Sequence, residues 1–215
     1  MGLKKEGIPL VVRFSDFLSV CPQSLLLRNQ TPCMECVEAK SLLPSLLHRC
    51  VKHSYMASFV HYISELYYRA KRYKSIPARY IVPSAFSRQV LIDAGFHAGE
   101  IVTLPTFAPN RLFGIKRNID CNKPYKLLYV GNMQEYKGNR VAVQLMPLLR
   151  DAYGDRVQLL MAGDGPDMSY NKSYIQDYSL EDSIQLLGHI ESTKVEELYS
   201  TSYAILIPSL CYENL

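Results

Sequence analysis

Four short apolar runs end in small residues, at spacings where phosphate chemistry could be done. Residues 127–130 give way to Gly131-Asn132 and, a few positions on, to Lys137-Gly138. Residues 159–162 give way to Gly163-Asp164-Gly165-Pro166, residues 184–187 to Gly188-His189-Ile190, and residues 204–207 to Pro208-Ser209. Runs of this kind between helical patterns read as buried parallel strands that stop in loops. Ligands of open α/β sheets bind at the carboxyl ends of the strands. Four such ends carrying small residues therefore predict a site for an anionic, nucleotide-like ligand.

A second constellation is made of sulfur. Cys21, Cys33, Cys36 and Cys50 fall in the first fifty residues, while Cys121 and Cys211 stand apart. The Cys33-x2-Cys36 pair fits half of a zinc site, in which thiolates at short spacing hold the ion tetrahedrally. Cys21 and Cys50 would complete four thiolates, giving a structural zinc rather than a catalytic one. The other reading buries Cys21 and Cys50 as small hydrophobes, and Cys50 falls inside a segment whose pattern is helical. Both readings stay open on the sequence.

The elements that must hold these residues follow from periodicity. In the second half, strands are predicted at 126–130, 158–162, 184–187 and 204–207, with helices at about 137–152, within 167–178 and at 194–200. That βαβαβαβ order implies a doubly wound parallel sheet. In the first half, strands are predicted at 8–14, 79–82 and 100–104. Residues 21–36 read as irregular, and a helix is predicted from Val37 through Leu42, Leu43, Leu46 and Leu47, with Pro44 able to kink it. A further helix is predicted over 54–73, with an apolar stripe of Phe59, Ile63, Leu66 and Ala70 and a basic end of Arg69, Lys71, Arg72 and Lys74. Ser84 is a natural N-cap for a helix over 85–94, and Gly95 a natural stop. The polar stretch 110–125 reads as a linker between domains at 1–109 and 126–215. Each domain is expected to be Rossmann-like, the first with the cysteine cluster, the second with the nucleotide site.

Bulk properties bound the function. The 215 residues suffice for one large or two small α/β domains, and 48% hydrophobic with 20% charged residues is ordinary for a globular chain. A net charge of +4 suits phosphate-bearing ligands or an acidic membrane surface but is too weak to argue for nucleic acid. No apolar run approaches the roughly 20 residues that span a bilayer, and residues 1–7 lack the apolar core of a signal peptide. The expectation is a cytoplasmic protein, with peripheral contact at the inner face of the membrane open through the basic helix end.

The blocks Val130-Gly131-Asn132-x4-Lys137-Gly138, Ala162-Gly163-Asp164-Gly165-Pro166, Leu186-Leu187-Gly188-His189-Ile190 and Ile207-Pro208-Ser209-x3-Glu213, in this order, resemble the nucleotide-binding half of family 4 (group 1) glycosyltransferases of GT-B fold. In the first half, Val82-Pro83-Ser84-Ala85-Phe86 resembles the family's helix start. Residues 9–12 leading to Cys21-Pro22 resemble its strand before a His-Asp pair, with Ser15 in place of the His and Asp16 retained.

The resemblance implies an α/β, GT-B-like chain of two Rossmann-like parallel-sheet domains, both incomplete, in an enzyme moving a sugar from a UDP- or GDP-sugar to a glycan or lipid-linked acceptor, with retention. It implies that Gly131 admits the donor diphosphate and that Lys137, beside Gly138, supplies a cation to the departing charge. Asn132 stands where the family often has Arg. Gly163, Asp164 and Gly165 would form the turn beside the donor, and Gly188, His189 and Ile190 would contact the base through their backbone. Pro208, Ser209 and Glu213 match the start of the family's Glu-x7-Glu motif, with Glu213 near the transferred sugar and Asp16 near the acceptor. The motif's second Glu would lie beyond Leu215, and the family's Gly-rich first strand has no counterpart, so the chain is expected to be a glycosyltransferase cut at both ends. No catalytic metal is implied. The other reading from a different class is an inactive remnant, or a cysteine-clustered binding module on the same scaffold.

Overall fold

The structure is a computed structural model that describes residues 8–70, 76–107, 119 and 124–213, the side chain of Arg69 excepted. The predicted linker 110–125, the basic residues Lys71, Arg72 and Lys74, and Cys121 fall almost wholly outside these residues. The chain divides into two compact units, Met1–Phe107 with Cys211–Leu215, and Ala108–Leu210.

The first unit is built on three parallel strands, β1 (Val11–Arg13), β4 (Arg79–Val82) and β5 (Ile101–Thr103), in the order β1-β4-β5. Between β1 and β4 lie a two-strand antiparallel hairpin, β2 (Leu27–Arg28) and β3 (Thr31–Pro32), and the helices α1 (Glu35–Glu38), α2 (Leu43–Leu47) and α3 (Tyr55–Ala70). Helix α4 (Ala85–Asp93) links β4 to β5. Its start follows from chemistry: Ser84 is extended and its Oγ accepts from the Ser87 amide at 3.1 Å, a cap worth about 1 kcal/mol. Gly95, with φ of 87°, ends the helix as predicted. The core gathers Val82, Val90 and Leu91 around the edge-to-face rings of Phe14, Tyr80 and Phe96.

Three expectations for this unit are corrected. The first strand is an edge rather than a buried strand, with Ile8 and Val11 half exposed. The helix predicted from Val37 is two short helices, because Lys40 and Arg49 adopt left-handed backbone and Pro44 starts α2 instead of kinking a longer helix. Cys50 consequently lies in a turn, not a helix. The Phe59–Ile63–Leu66 stripe of α3 is exposed; the buried position is Ser58, whose Oγ accepts from the Val51 amide.

The second unit holds four parallel strands, β6 (Tyr125–Val130), β7 (Val157–Ala162), β8 (Ile184–Gly188) and β9 (Ala204–Leu206), in the order β8-β7-β6-β9. Helices α5 (Asn139–Tyr153), α6 (Met168–Asp177) and α7 (Ser192–Thr201) connect them. Alternate strand residues face opposite layers. Tyr129, Leu159 and Met161 pack with Ala142, Val143 and Met146 of α5 and Ile175 of α6. Leu128 and Leu160 pack with Leu198 of α7 on the other face. Burial on both faces is why β6 and β7 read as continuous apolar runs.

Strand β9 is an edge of this sheet, and Ile205 and Ile207 are 48% and 78% exposed. Apolar edges template pairing with other chains. Ile207→Lys should therefore raise the concentration at which the protein stays monodisperse in light scattering, with stability changed by no more than about 0.5 kcal/mol. Equal aggregation of variant and wild type would show that another surface drives association.

Candidate functional site

The site of the second unit is assembled from three strand ends. An open cleft of about 360 Å³ is lined by Val130, Gly131 and Asn132 after β6, by Ala162, Gly163 and Asp164 after β7, and by His189, Ile190 and Val195 from β8 to α7. Six residues expected at the nucleotide site are thus brought together: Gly131, Asn132, Gly163, Asp164, His189 and Ile190. Val130, Ala162 and Val195 complete the apolar lining; Val130 and Ala162 belong to the runs that flank the glycines, whereas Val195 lies on α7 and carried no signal in the sequence.

The loops are laced by backbone hydrogen bonds. The Gly131 amide donates to Ala162 O at 3.0 Å, the Met133 amide to Asp164 O at 2.9 Å, and the Gly163 amide to Gly188 O at 2.7 Å. These continue the sheet beyond its last regular pair and set the three ends side by side. Gly163 holds φ of 137°, and a Cβ there would stand 1.9 Å from Gly131 O, so the crossing of the two loops needs glycine. Asp164 Oδ1 accepts from the Gly165 amide at 2.7 Å and orders the turn.

Lys137, Gly138, Gly165, Gly188, Pro208 and Ser209 are not among the residues lining the cleft. Lys137 ends a 3₁₀ turn, Glu135–Lys137, with its Nζ 5.6 Å from the centre of the Tyr136 ring. Gly138 follows at φ of 71° against the Pro208 carbonyl, where a Cβ would come within 1.9 Å. The Leu210 amide donates to Tyr136 O at 2.9 Å. The Lys137 turn and the Pro208-Ser209 segment therefore form a second group, at the ends of β6 and β9, where the strand order reverses.

A buried polar network, missed at the sequence level, joins the two loops. Asp167, next to α6, accepts from Arg140 at 2.5 Å and from Asn139 Nδ2 at 2.9 Å. Asn139 also donates to Gln134 O and accepts from Asn171 Nδ2. Burial works to raise the Asp167 pKa, but the hydrogen bonds from Arg140 and Asn139 outweigh it and hold the carboxyl below its ordinary value. Arg140 is raised in turn, foremost by its hydrogen bond to Asp167, and its guanidinium lies 4.5 Å from the centre of the Tyr170 ring.

The remaining expected residues belong to the first unit. Asp16 is exposed and its Oδ1 accepts from the Leu18 amide at 2.9 Å, closing a turn beyond β1. Glu213 is half-buried and falls in the Cys211–Leu215 segment, whose Tyr212 packs on Phe86 of α4 at 4.9 Å. Cys21, Cys33, Cys36 and Cys50 are free thiols, each half-buried. Burial, with help from the neighbouring cysteines, pushes the Cys36 thiol up to about 12. Among the described residues, no three His, Cys, Asp or Glu side chains are arranged to hold a metal ion, and no helix is long and apolar enough to cross a membrane.

Solved structures share this architecture. An Anabaena protein, Alr3699/HepE, crystallised in complex with UDP and glucose, is 12% identical, with 99% of this chain and 50% of that one covered at a TM-score of 0.62. The pneumococcal O-GlcNAc transferase GtfA, in complex with UDP and GlcNAc, is 22% identical, with 63% of this chain and 26% of that one covered at a TM-score of 0.50. The chain spans half or less of the length of these structures. The shared fold is that of the GT-B glycosyltransferases. A search of the curated proteins finds no match. The family of glycosyl transferases group 1 matches residues 115–215, a segment that contains the whole cleft and the Lys137 turn. Over residues 115–215, just under half of its length, this chain is similar to the glycosyl transferases group 1.

Proposed function

We propose that the cleft binds the nucleoside diphosphate of a nucleotide-sugar donor, and that the chain carries the donor half of a retaining glycosyltransferase. The observation that carries this reading is the convergence of Gly131, Asn132, Gly163, Asp164, His189 and Ile190, from three strand ends, on one cleft. Backbone next to Gly131 and Gly163 can approach phosphate closely, and the apolar residues Val130, Ile190 and Val195 offer a surface for a base. UDP is favoured over GDP by the UDP held in the HepE and GtfA structures.

In this reading the Lys137 ammonium meets the charge that grows on the diphosphate as the bond to the sugar breaks. The family's second cation is replaced by Asn132, so more of that work falls on Lys137. Glu213 is assigned to the transferred sugar and Asp16 to the acceptor side. The acceptor is a glycan or lipid-linked hydroxyl used in building surface polysaccharide or glycoconjugate, with the protein in the cytoplasm at the inner face of the membrane.

Isothermal calorimetry on the folded chain tests the reading. UDP is expected to bind with a Kd of about 0.1 mM, with GDP about tenfold weaker. No heat from either nucleotide at millimolar concentration, with the protein shown to be folded, would overturn it.

A further inference from the structure

A core side chain of β6 reaches into the loop that follows the strand. Tyr129 is 3% exposed and belongs to the apolar layer between the sheet and helices α5 and α6. Its strand is central: Tyr129 lies in register with Met161 of β7 on one side and with Leu206 of β9 on the other. Strand pairing on both sides and packing on one face fix where the ring can lie. The hydroxyl at its far end is a polar group in apolar surroundings, and a buried tyrosine hydroxyl needs a partner. It finds one in the loop, donating to Asn132 O at 3.1 Å.

That bond sets the orientation of one peptide. The Asn132 carbonyl also accepts from the Gln134 amide at 2.9 Å, but this partner is two residues on and moves with the loop. The hydroxyl ties the same carbonyl to the sheet. At the other end of the peptide, the Met133 amide donates to Asp164 O at 2.9 Å. The peptide between Asn132 and Met133 is thus pinned through its oxygen to the core and through its nitrogen to the loop after β7. Gly131, Asn132 and Asp164 line the cleft, whereas Tyr129 and Met133 do not. A carbonyl bonded to Tyr129 is therefore turned inward, away from the cleft. The direction has an electrostatic consequence. Each peptide carries a dipole of about 3.5 D with its negative end at the oxygen, and an anion beside Gly131 would be repelled by that end if it faced the cleft.

We propose that Tyr129 is a positioning residue for the donor diphosphate: its hydroxyl holds the Asn132 carbonyl out of the cleft, so that the negative end of this peptide does not face the phosphates. The proposal rests on the reading of the cleft as a nucleoside diphosphate site and adds to it a residue that does not line the cleft. Phenylalanine at this position would fill the same space among Leu159, Met161 and Val143 and would lack only the donor. Packing of the core is indifferent to that choice, so the effect of the hydroxyl falls on the loop. It falls on charged ligands in particular, because a carbonyl turned toward the cleft opposes an anion and not a neutral nucleoside.

The test compares the full chain with its Tyr129→Phe variant, using UDP by calorimetry and uridine by ligand-observed NMR, which reads millimolar binding. UDP is expected to bind the variant about fivefold more weakly, the weight of one ordinary hydrogen bond. Uridine should bind both proteins equally, and the urea midpoint should shift little. Replacing Tyr129 by 4-aminophenylalanine, which returns an N–H donor to the same place, should restore UDP binding to within about twofold. Equal UDP affinity in wild type and Tyr129→Phe would overturn the proposal and leave the nucleotide reading intact. Equal losses for UDP and uridine, a Tyr129→Phe chain that fails to fold, or no recovery with 4-aminophenylalanine would each show that the residue serves the fold and not the anion. A folded wild type that binds no UDP would instead overturn the nucleotide reading itself, and this proposal with it.

Discussion

Gly163→Ala is expected to destabilise the second unit by about 4 kcal/mol, combining a strained φ with a clash that cannot relax. Gly131→Ala, one loop away, should leave stability within about 1 kcal/mol while weakening UDP binding about tenfold. The difference lies in what each new methyl meets. At Gly163 it stands 1.9 Å from the Gly131 carbonyl, on a backbone whose φ of 137° suits only glycine. That carbonyl cannot retreat, because the Gly131 amide is bonded to Ala162 O and the Gly163 amide to Gly188 O. At Gly131 the nearest atom is the Tyr129 hydroxyl at 3.4 Å, an ordinary contact. The fold therefore does not require glycine at 131, and the methyl intrudes only on the cleft. Against a typical domain stability of about 5–15 kcal/mol, the Gly163 change takes a large share. Urea unfolding followed by circular dichroism, with calorimetry on the same samples, separates the two. Equal loss of stability would show that Gly131 is structural; unchanged UDP affinity in a stable Gly131→Ala variant would remove Gly131 from the nucleotide site.

Legibility differed sharply between the two halves. In the second unit β6, β7 and β8 hold buried residues, β9 is an apolar edge, and each run stops at or just before Gly or Pro, so apolar runs located β6 to β9 to within about two residues, and their ends named six of the nine cleft residues. Between β1 and α3 the same method failed. The β2–β3 hairpin turns on Asn29-Gln30, both left-handed, where an Asn-Gly pair would have signalled a two-residue turn. The leucines after Val37 carry a helical period, but left-handed Lys40 and Arg49 cut the helix, and nothing in either side chain announces that conformation. The α3 stripe shows a second limit: periodicity marks an apolar face without saying whether anything covers it, and Phe59, Ile63 and Leu66 are exposed. The Asn139–Asp167–Asn171 network was illegible for a third reason. Polar residues 28 and 32 positions apart have no periodic signature, and only packing of α5 against α6 brings them together.

That network carries the other large effect. Asp167→Ala should cost about 2 kcal/mol, less than a fully buried ion pair because Arg140 is a third exposed. The carboxylate is itself almost wholly buried, and its loss leaves Asn139 Nδ2 with Gln134 O alone and Arg140 with Glu135 alone, each short of one acceptor. The Asp167 amide donates to Met133 O at 3.0 Å whatever its side chain, and the side chain adds a second tie, through Asn139 to Gln134 O, between the loop that carries Asp164 and the loop that carries Asn132. Nucleotide affinity should therefore fall together with stability, although Asp167 does not line the cleft. The pH dependence has a definite sign. Burial opposes ionisation, yet the hydrogen bonds from Arg140 and Asn139 prevail, and the folded carboxyl titrates below the ordinary 3.8. Its contribution to stability is then fully present above about 3.8, and it is lost as the pH falls through the lower, folded value. The stability gap between wild type and Asp167→Asn, which cannot ionise, should be constant from neutrality down to about pH 5 and should narrow below about pH 4. Other carboxylates titrate in the same range, but they are common to both proteins and cancel in the difference. A gap that stayed constant down to the acid limit of folding would mean that Asp167 supports the loops by shape alone, and its pairing with Arg140 would then have no thermodynamic weight.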